Sequence, residues 1–93
     1  MVVGAARVEL RVHGSHSLKQ KRGVVRSITQ RVRNRFNVAV AEVGGQDTWQ
    51  RVELGLVTTS QDSATVRRRL ERAVDFIEGT YLAEVMDQEL EIL

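Results

Sequence analysis

The chain of 93 residues contains no cysteine, no proline and only 4% aromatic residues. Without cysteine there are no disulfides and no thiolate metal sites, a pattern that fits a reducing compartment. No proline or low-complexity run marks an internal linker, so residues 1–93 read as one domain. No apolar run is long enough to span a bilayer. The opening "MVVGAARVELRV" is broken by Arg7 and Glu9, so it lacks the apolar core of a signal peptide. The expectation is a cytoplasmic protein with no membrane partner. A further scarcity concerns charge of one sign. Between Gly14 and Ala41 there is no acidic residue, and from Leu82 to Leu93 there is no basic one.

Net charge is only +2, so the segregation matters more than the total. Within "SLKQKRGVVRSITQRVRNRF" (residues 17–36) lie Lys19, Lys21, Arg22, Arg26, Arg31, Arg33 and Arg35, half of the chain's 14 cations. Arginine suits bidentate phosphate contacts, although arginine-rich composition also arises from genome-wide bias.

Hydrophobic periodicity orders the chain. "VVGAARVELRVH" alternates, with Val2, Gly4, Ala6, Val8, Leu10 and Val12 on one side: a half-buried strand. "GSHS" forms a turn, and Ser17 with Gln20 makes a capping box for a helix from Leu18 to Arg35. Leu18, Val24, Val25, Ile28 and Val32 form its apolar stripe. Val38 to Val43 is a short strand, "GGQD" a hairpin connection, and Thr48 to Thr59 the returning strand. A second helix starts at Ser60 or Asp62, carries Val66, Leu70, Ala73, Val74 and Ile77 inward, and stops at Gly79. A last strand from Leu82 to Ile92 turns Met86, Leu90 and Ile92 inward and Asp87, Glu89 and Glu91 outward. The order βαββαβ predicts a ferredoxin-like α+β sandwich. Its four-stranded antiparallel sheet has the order 4-1-3-2, and both helices lie on one face.

The segments "SLKQKR", "NRFNVAVAEV" and "QDTWQRVELG" resemble the YlxP-like family, domain of unknown function 503. The similarity runs over nearly the whole chain and is most specific from Ser17 to Leu54. It implies a small ferredoxin-like fold with no established activity. Members are often encoded beside genes for translation initiation and ribosome maturation, so it also implies a translation-linked bacterial protein. The resemblance implies an acid at the position of Gln20, which would leave this helix more basic than its relatives. It supplies no catalytic residues.

On the first helix Lys19, Arg22, Arg26 and Arg33 share one side, with Thr29 and Gln30 beside them. Lys21 points with the apolar stripe, from a first turn that can still reach solvent. Cations at a helix start oppose the macrodipole, and Arg22–Arg26 and Arg31–Arg35 are like-charged at i,i+4. The second helix offers a contrast. Its Arg67, Arg68 and Arg72 stand at pairing distance from Glu71 and Asp75, so it reads as self-neutralising. The first helix therefore reads as an anion surface. Ser15, Ser17, Lys19 and Arg22 would hold a phosphate at its start, Lys21 would assist, and Arg26 and Arg33 would extend along a nucleic-acid backbone. The alternative is a solvated face compensated by acids elsewhere in the fold.

The exposed strand rows (Arg7, Glu9 and Arg11; Trp49, Arg51 and Glu53) hold one aromatic and no RRM signature. Base stacking on the sheet is thus disfavoured, and backbone or shape recognition of structured RNA or a ribosomal particle is preferred. A second function class uses the same open face. Trp49, Arg51, Arg7 and Arg11, with Val3, Ala5 and Val57 nearby, could make a homodimeric or protein-docking module.

Other motifs carry less. His13 and His16 could bind metal with Glu9 or Asp47, but two histidines without a clear third ligand predict no metal site. Serines before a helix are usually caps rather than nucleophiles. "GGQDT" is too short to cradle phosphate. Asp87, Glu89 and Glu91 are expected to pair across strands with Arg7 and Arg11. Nothing resembles a general acid and base in a pocket, so no enzyme and no cofactor are predicted.

Overall fold

The computed structural model describes residues 1–45 and 48–93. Six elements follow the predicted order: β1 (Val2–Arg11), α1 (Leu18–Arg35), β2 (Ala39–Gly44), β3 (Arg51–Ser60), α2 (Ser63–Gly79) and β4 (Glu84–Ile92). The strands form one antiparallel sheet in the order β2-β3-β1-β4, which is 4-1-3-2 read from the other edge. The ferredoxin-like βαββαβ arrangement is the observed one.

The core lies between the sheet and the helices. Alternation in β1 buries Ala6, Val8 and Leu10, and β3 adds Val52, Leu54 and Leu56 on the same face. Ile28 and Val32 of α1, and Val66, Leu70, Ala73, Val74 and Ile77 of α2, close over them. Each fully buried Leu or Val contributes about 1.5–3 kcal/mol relative to exposure. α2 comes close to β1 at Gly4, where a Cβ would meet Val66 and Leu70 side chains.

Beyond shifts of one or two residues at the ends of β2 and β4, three features differ from what the sequence predicts. β3 begins at Arg51, so Thr48 and Trp49 lie in the preceding connection and not on the strand. The β1–β4 register shifts between Glu9 and Leu10, so Asp87 pairs with Glu9 while Val85 pairs with Leu10. The extra residue reverses the alternation. Val85 is packed against the core, whereas Met86, expected inward, is 50% exposed. Finally, Gly79 stays helical, and Tyr81 takes the left-handed conformation (φ 57°) that ends α2.

On the open face, register places like charges directly opposite: Glu9 faces Glu53 on one side and Asp87 on the other, and Arg11 faces Arg51. Arg7 is directly opposite Glu89, and the other ion pairs run diagonally. Arg7 bonds Glu53 (2.7 Å), Asp87 (3.1 Å) and Glu89 (3.2 Å), and Arg51 bonds Glu9 (2.6 Å). These partners, Glu53 foremost and then Glu89, raise the Arg7 pKa above the ordinary arginine value. Arg11 donates to the Gln50 amide at 3.5 Å and not to an acid. The cross-strand pairing expected of Arg7 is therefore present, and that expected of Arg11 is not among the described residues.

Candidate nucleic-acid interface

The start of α1 is set by its cap. Ser17 is extended (φ −159°, ψ 159°), and its Oγ accepts from the Gln20 amide at 3.1 Å. The Gln20 side chain completes the motif one residue early, accepting from the His16 N–H at 2.7 Å rather than from Ser17. Ser15, assigned to phosphate on sequence grounds, is 5% exposed and donates to the Ser17 carbonyl at 3.0 Å. Its hydroxyl thus orders the turn and faces away from solvent.

Lys21 is the largest departure from expectation. It does not reach solvent but is 2% exposed, and its ammonium donates to the carbonyls of Gly45 (2.5 Å), Thr48 (2.5 Å) and Arg51 (3.2 Å). Its position on the apolar stripe carries the ammonium inward to the β2–β3 connection. That connection turns through Gly45 (φ 82°), where a Cβ would strike the Arg51 carbonyl. One buried cation therefore satisfies three backbone acceptors and ties α1 to the loop. Lys21 belongs to the scaffold and not to the exposed set.

The remaining predicted residues do come together. Lys19, Arg22, Arg26 and Arg33 are exposed and follow one side of α1 at helical spacing. From Lys19 to Arg33 this row spans about 21 Å at 1.5 Å per residue. Its lower border lies against the sheet edge. Thr29 is 7% exposed and donates to the Arg26 carbonyl at 3.2 Å, while Arg33 donates from Nη2 to the Val40 carbonyl on edge strand β2 at 3.0 Å. Arg33 so covers an edge acceptor with one of its five N–H groups and keeps the others available.

All seven cations of α1 lie on a helix without an acid, and among the described residues none of them forms an ion pair. Glu42, opposite Leu54 on the helix-facing side of β2, is an acid that the fold brings beneath α1. It forms no ion pair with the helix, and its Oε2 is buried without a partner among the described residues. α2 is not the self-paired control it seemed to be. Among the described residues, none of Arg67, Arg68 or Arg72 forms an ion pair with Glu71 or Asp75. Arg67 precedes Glu71 by four residues, the less favourable orientation of such a pair. The contrast that survives is density: seven cations and no acid on α1, against four arginines and three acids on α2.

The other candidates disperse. His13 Nε2 donates to Glu84 Oε1 at 2.7 Å and does not join His16, and among the described residues no cluster of metal-ligating groups forms. Asp47 lies outside the described residues. Trp49 is 55% exposed in the connection before β3, whereas Val57, 45% exposed, sits toward the far end of that strand beside Val3 and Met1. The six strand steps from Arg51 to Val57 alone span roughly 20 Å, so the expected apolar patch is divided. No helix among the described residues is long and apolar enough to cross a membrane.

Known proteins place this architecture. A chain described as "De novo designed protein Foldit4" shares the fold with a TM-score of 0.51 and 18% identity, covering 99% of this chain and 94% of that one. The "Uncharacterized protein YlxP" of Bacillus subtilis (strain 168) is 39% identical over 78 residues, which is 84% of this chain and 85% of the relative. The profile of the family described as "Protein of unknown function (DUF503)" matches residues 3–90. With that match over nearly its full length, the chain belongs to the DUF503 family.

Proposed function

We propose that the protein binds the phosphate backbone of structured RNA, free or within a ribosomal particle, through the exposed side of α1. The observation that carries this reading is the row Lys19, Arg22, Arg26 and Arg33, exposed on a helix without acids and without ion pairs among the described residues. Like charges held on one face cost a few tenths of a kcal/mol per i,i+4 pair, and a polyanion removes that cost while releasing its counterions. Ser17 fixes where the row begins. The translation-linked setting implied by the family resemblance agrees with such a partner. The sheet favours backbone contact over base stacking, because its open face carries a lattice of ion pairs in place of aromatic rings.

The alternative, dimerisation or docking through the open sheet face, loses one of its supports. Arg7 and Arg51 are paired within the chain, so they need no charges from a second subunit. Co-sedimentation with ribosomes at two salt concentrations tests the preferred reading. Wild type should sediment at low salt and be released at high salt, and Arg22→Glu/Arg26→Glu should remain in the supernatant at both. Equal sedimentation of the two proteins would exclude α1 as the contact surface.

A further inference from the structure

A second basic feature lies at the opposite end of α1, some 24 Å along the helix from Lys19 at 1.5 Å per residue. Arg35 and Asn37, from the end of α1 and beyond, and Thr65, Arg68, Arg69 and Arg72 from α2 line an open groove of about 370 Å³. No carboxylate lines it among the described residues. Two of its four guanidiniums are held in place. Arg69 Nη1 donates to Thr58 Oγ1 (2.8 Å) and to the Thr59 carbonyl (3.0 Å). The Arg35 guanidinium lies 5.1 Å from the centre of the Phe76 ring, which itself packs edge-on against Phe36 at 5.5 Å. Arg68 and Arg72 are exposed, one turn apart, and in no ion pair among the described residues. Asp62 lies within the field of Arg68, but its two oxygens are occupied by the Thr65 N–H (2.7 Å) and hydroxyl (3.0 Å).

We infer that this groove is a phosphate-binding site, separate from the exposed row of α1. Four guanidiniums around one cavity repel one another unless an anion lies among them. Planar forks of this kind match the oxygens of a phosphate bidentately. Its volume lies in the lower part of the range of ligand sites, enough for a phosphate monoester or a diphosphate. The fixed pair, Arg35 and Arg69, pre-orients donors on the two helices. The free pair, Arg68 and Arg72, closes on the anion. The phosphate comes either from a small phosphorylated molecule or from a nucleic-acid chain.

Titration of the full-length protein with inorganic pyrophosphate at constant ionic strength, followed by 15N NMR of arginine side chains and backbone amides, tests this. Saturating shifts are expected at Arg69 Nε–H and at the Asn37 and Thr65 amides. Arg68→Ala/Arg72→Ala should weaken the affinity roughly tenfold or more without changing the thermal midpoint, since neither side chain holds the fold. Arg22→Glu/Arg26→Glu should bind pyrophosphate as wild type does, which separates this site from the α1 row. Linear, non-saturating shifts across the arginines of both helices would overturn the inference. So would unchanged affinity in the Arg68/Arg72 variant, or loss of binding in the Arg22/Arg26 variant. Displacement of pyrophosphate by a short 5′-phosphorylated RNA supports the site with a nucleic-acid source. Displacement by a nucleoside diphosphate, but not by the RNA, supports it with a small-molecule source.

Discussion

Replacing Lys21 with methionine isolates the role of its charge, because methionine keeps an unbranched apolar stem in the same space. In the wild type the buried ammonium makes three hydrogen bonds to backbone carbonyls. Each charge-assisted bond is worth about 1.5–3 kcal/mol, against a desolvation penalty of several kcal/mol for the ion. The net loss on substitution is then about 2–4 kcal/mol. A domain of this size has a total stability of roughly 5–14 kcal/mol, so the loss is a large fraction of it. At about 4–8 °C per kcal/mol, the midpoint should fall by roughly 8–32 °C. Urea denaturation followed by circular dichroism gives the free energy, and a thermal scan gives the midpoint. The deficit should persist in about 1 M salt, because screening does not reach a buried contact. Lys19→Met, at an exposed neighbour, should stay within about 0.5 kcal/mol of wild type. A Lys21→Met protein within about 1 kcal/mol of wild type, or a deficit that vanishes in salt, would refute the assignment of Lys21 to the scaffold.

Three further outcomes follow from the same structure. Gly23 sits in mid-helix, and a Cβ added there would meet nothing within 4 Å, so Gly23→Ala should raise stability by about 1 kcal/mol in urea titrations. Tyr81 is 92% exposed in the left-handed region; Tyr81→Gly relieves that strain and should raise stability by about 1 kcal/mol on the same scale. The Asp62 carboxylate accepts from the Thr65 N–H and hydroxyl, which lower its pKa from the ordinary 3.8. A lowered folded-state pKa gives stability that is full above the unfolded value and is lost as pH falls through the folded one. Asp62→Asn keeps an acceptor but does not titrate, so its stability difference from wild type should shrink below pH 3.8. A constant difference from about pH 6 to about pH 2.5 would contradict that origin.

Most of the fold was legible because period-two and helical patterns were strong and uninterrupted. The limits of α1 and the burial of Val8, Leu54 and Ile77 all follow from them. What the pattern did not reveal was register. A single extra residue opposite Glu9 and Leu10 exchanged Met86 for Val85, and no local signal in "EVMDQELEIL" marks that bulge. The end of α2 misled for a related reason, since glycine is the favoured left-handed residue but Tyr81 takes that conformation. In the candidate site, periodicity located Lys19, Arg22, Arg26 and Arg33. The same periodicity carried the signal for Lys21, whose place on the apolar stripe implied burial, but its partners are carbonyls 24 to 30 residues away. The arginine groove was hidden because it is assembled from two helices, and because sequence spacing suggested ion pairs in α2 that do not form among the described residues.

The central claim is that the exposed row of α1 meets phosphates, and its most direct test is the salt dependence of RNA binding. Affinity for a structured RNA should be measured by fluorescence anisotropy from about 50 to 200 mM salt, for wild type and for Arg22→Gln/Arg26→Gln. Each lost phosphate contact reduces the slope of log K against log salt by about 0.7–0.9. The variant should therefore show a slope smaller by roughly 1.5 and a weaker affinity at every salt concentration. Identical slopes and affinities for the two proteins, or no binding by wild type at the lowest salt concentration, would contradict the account.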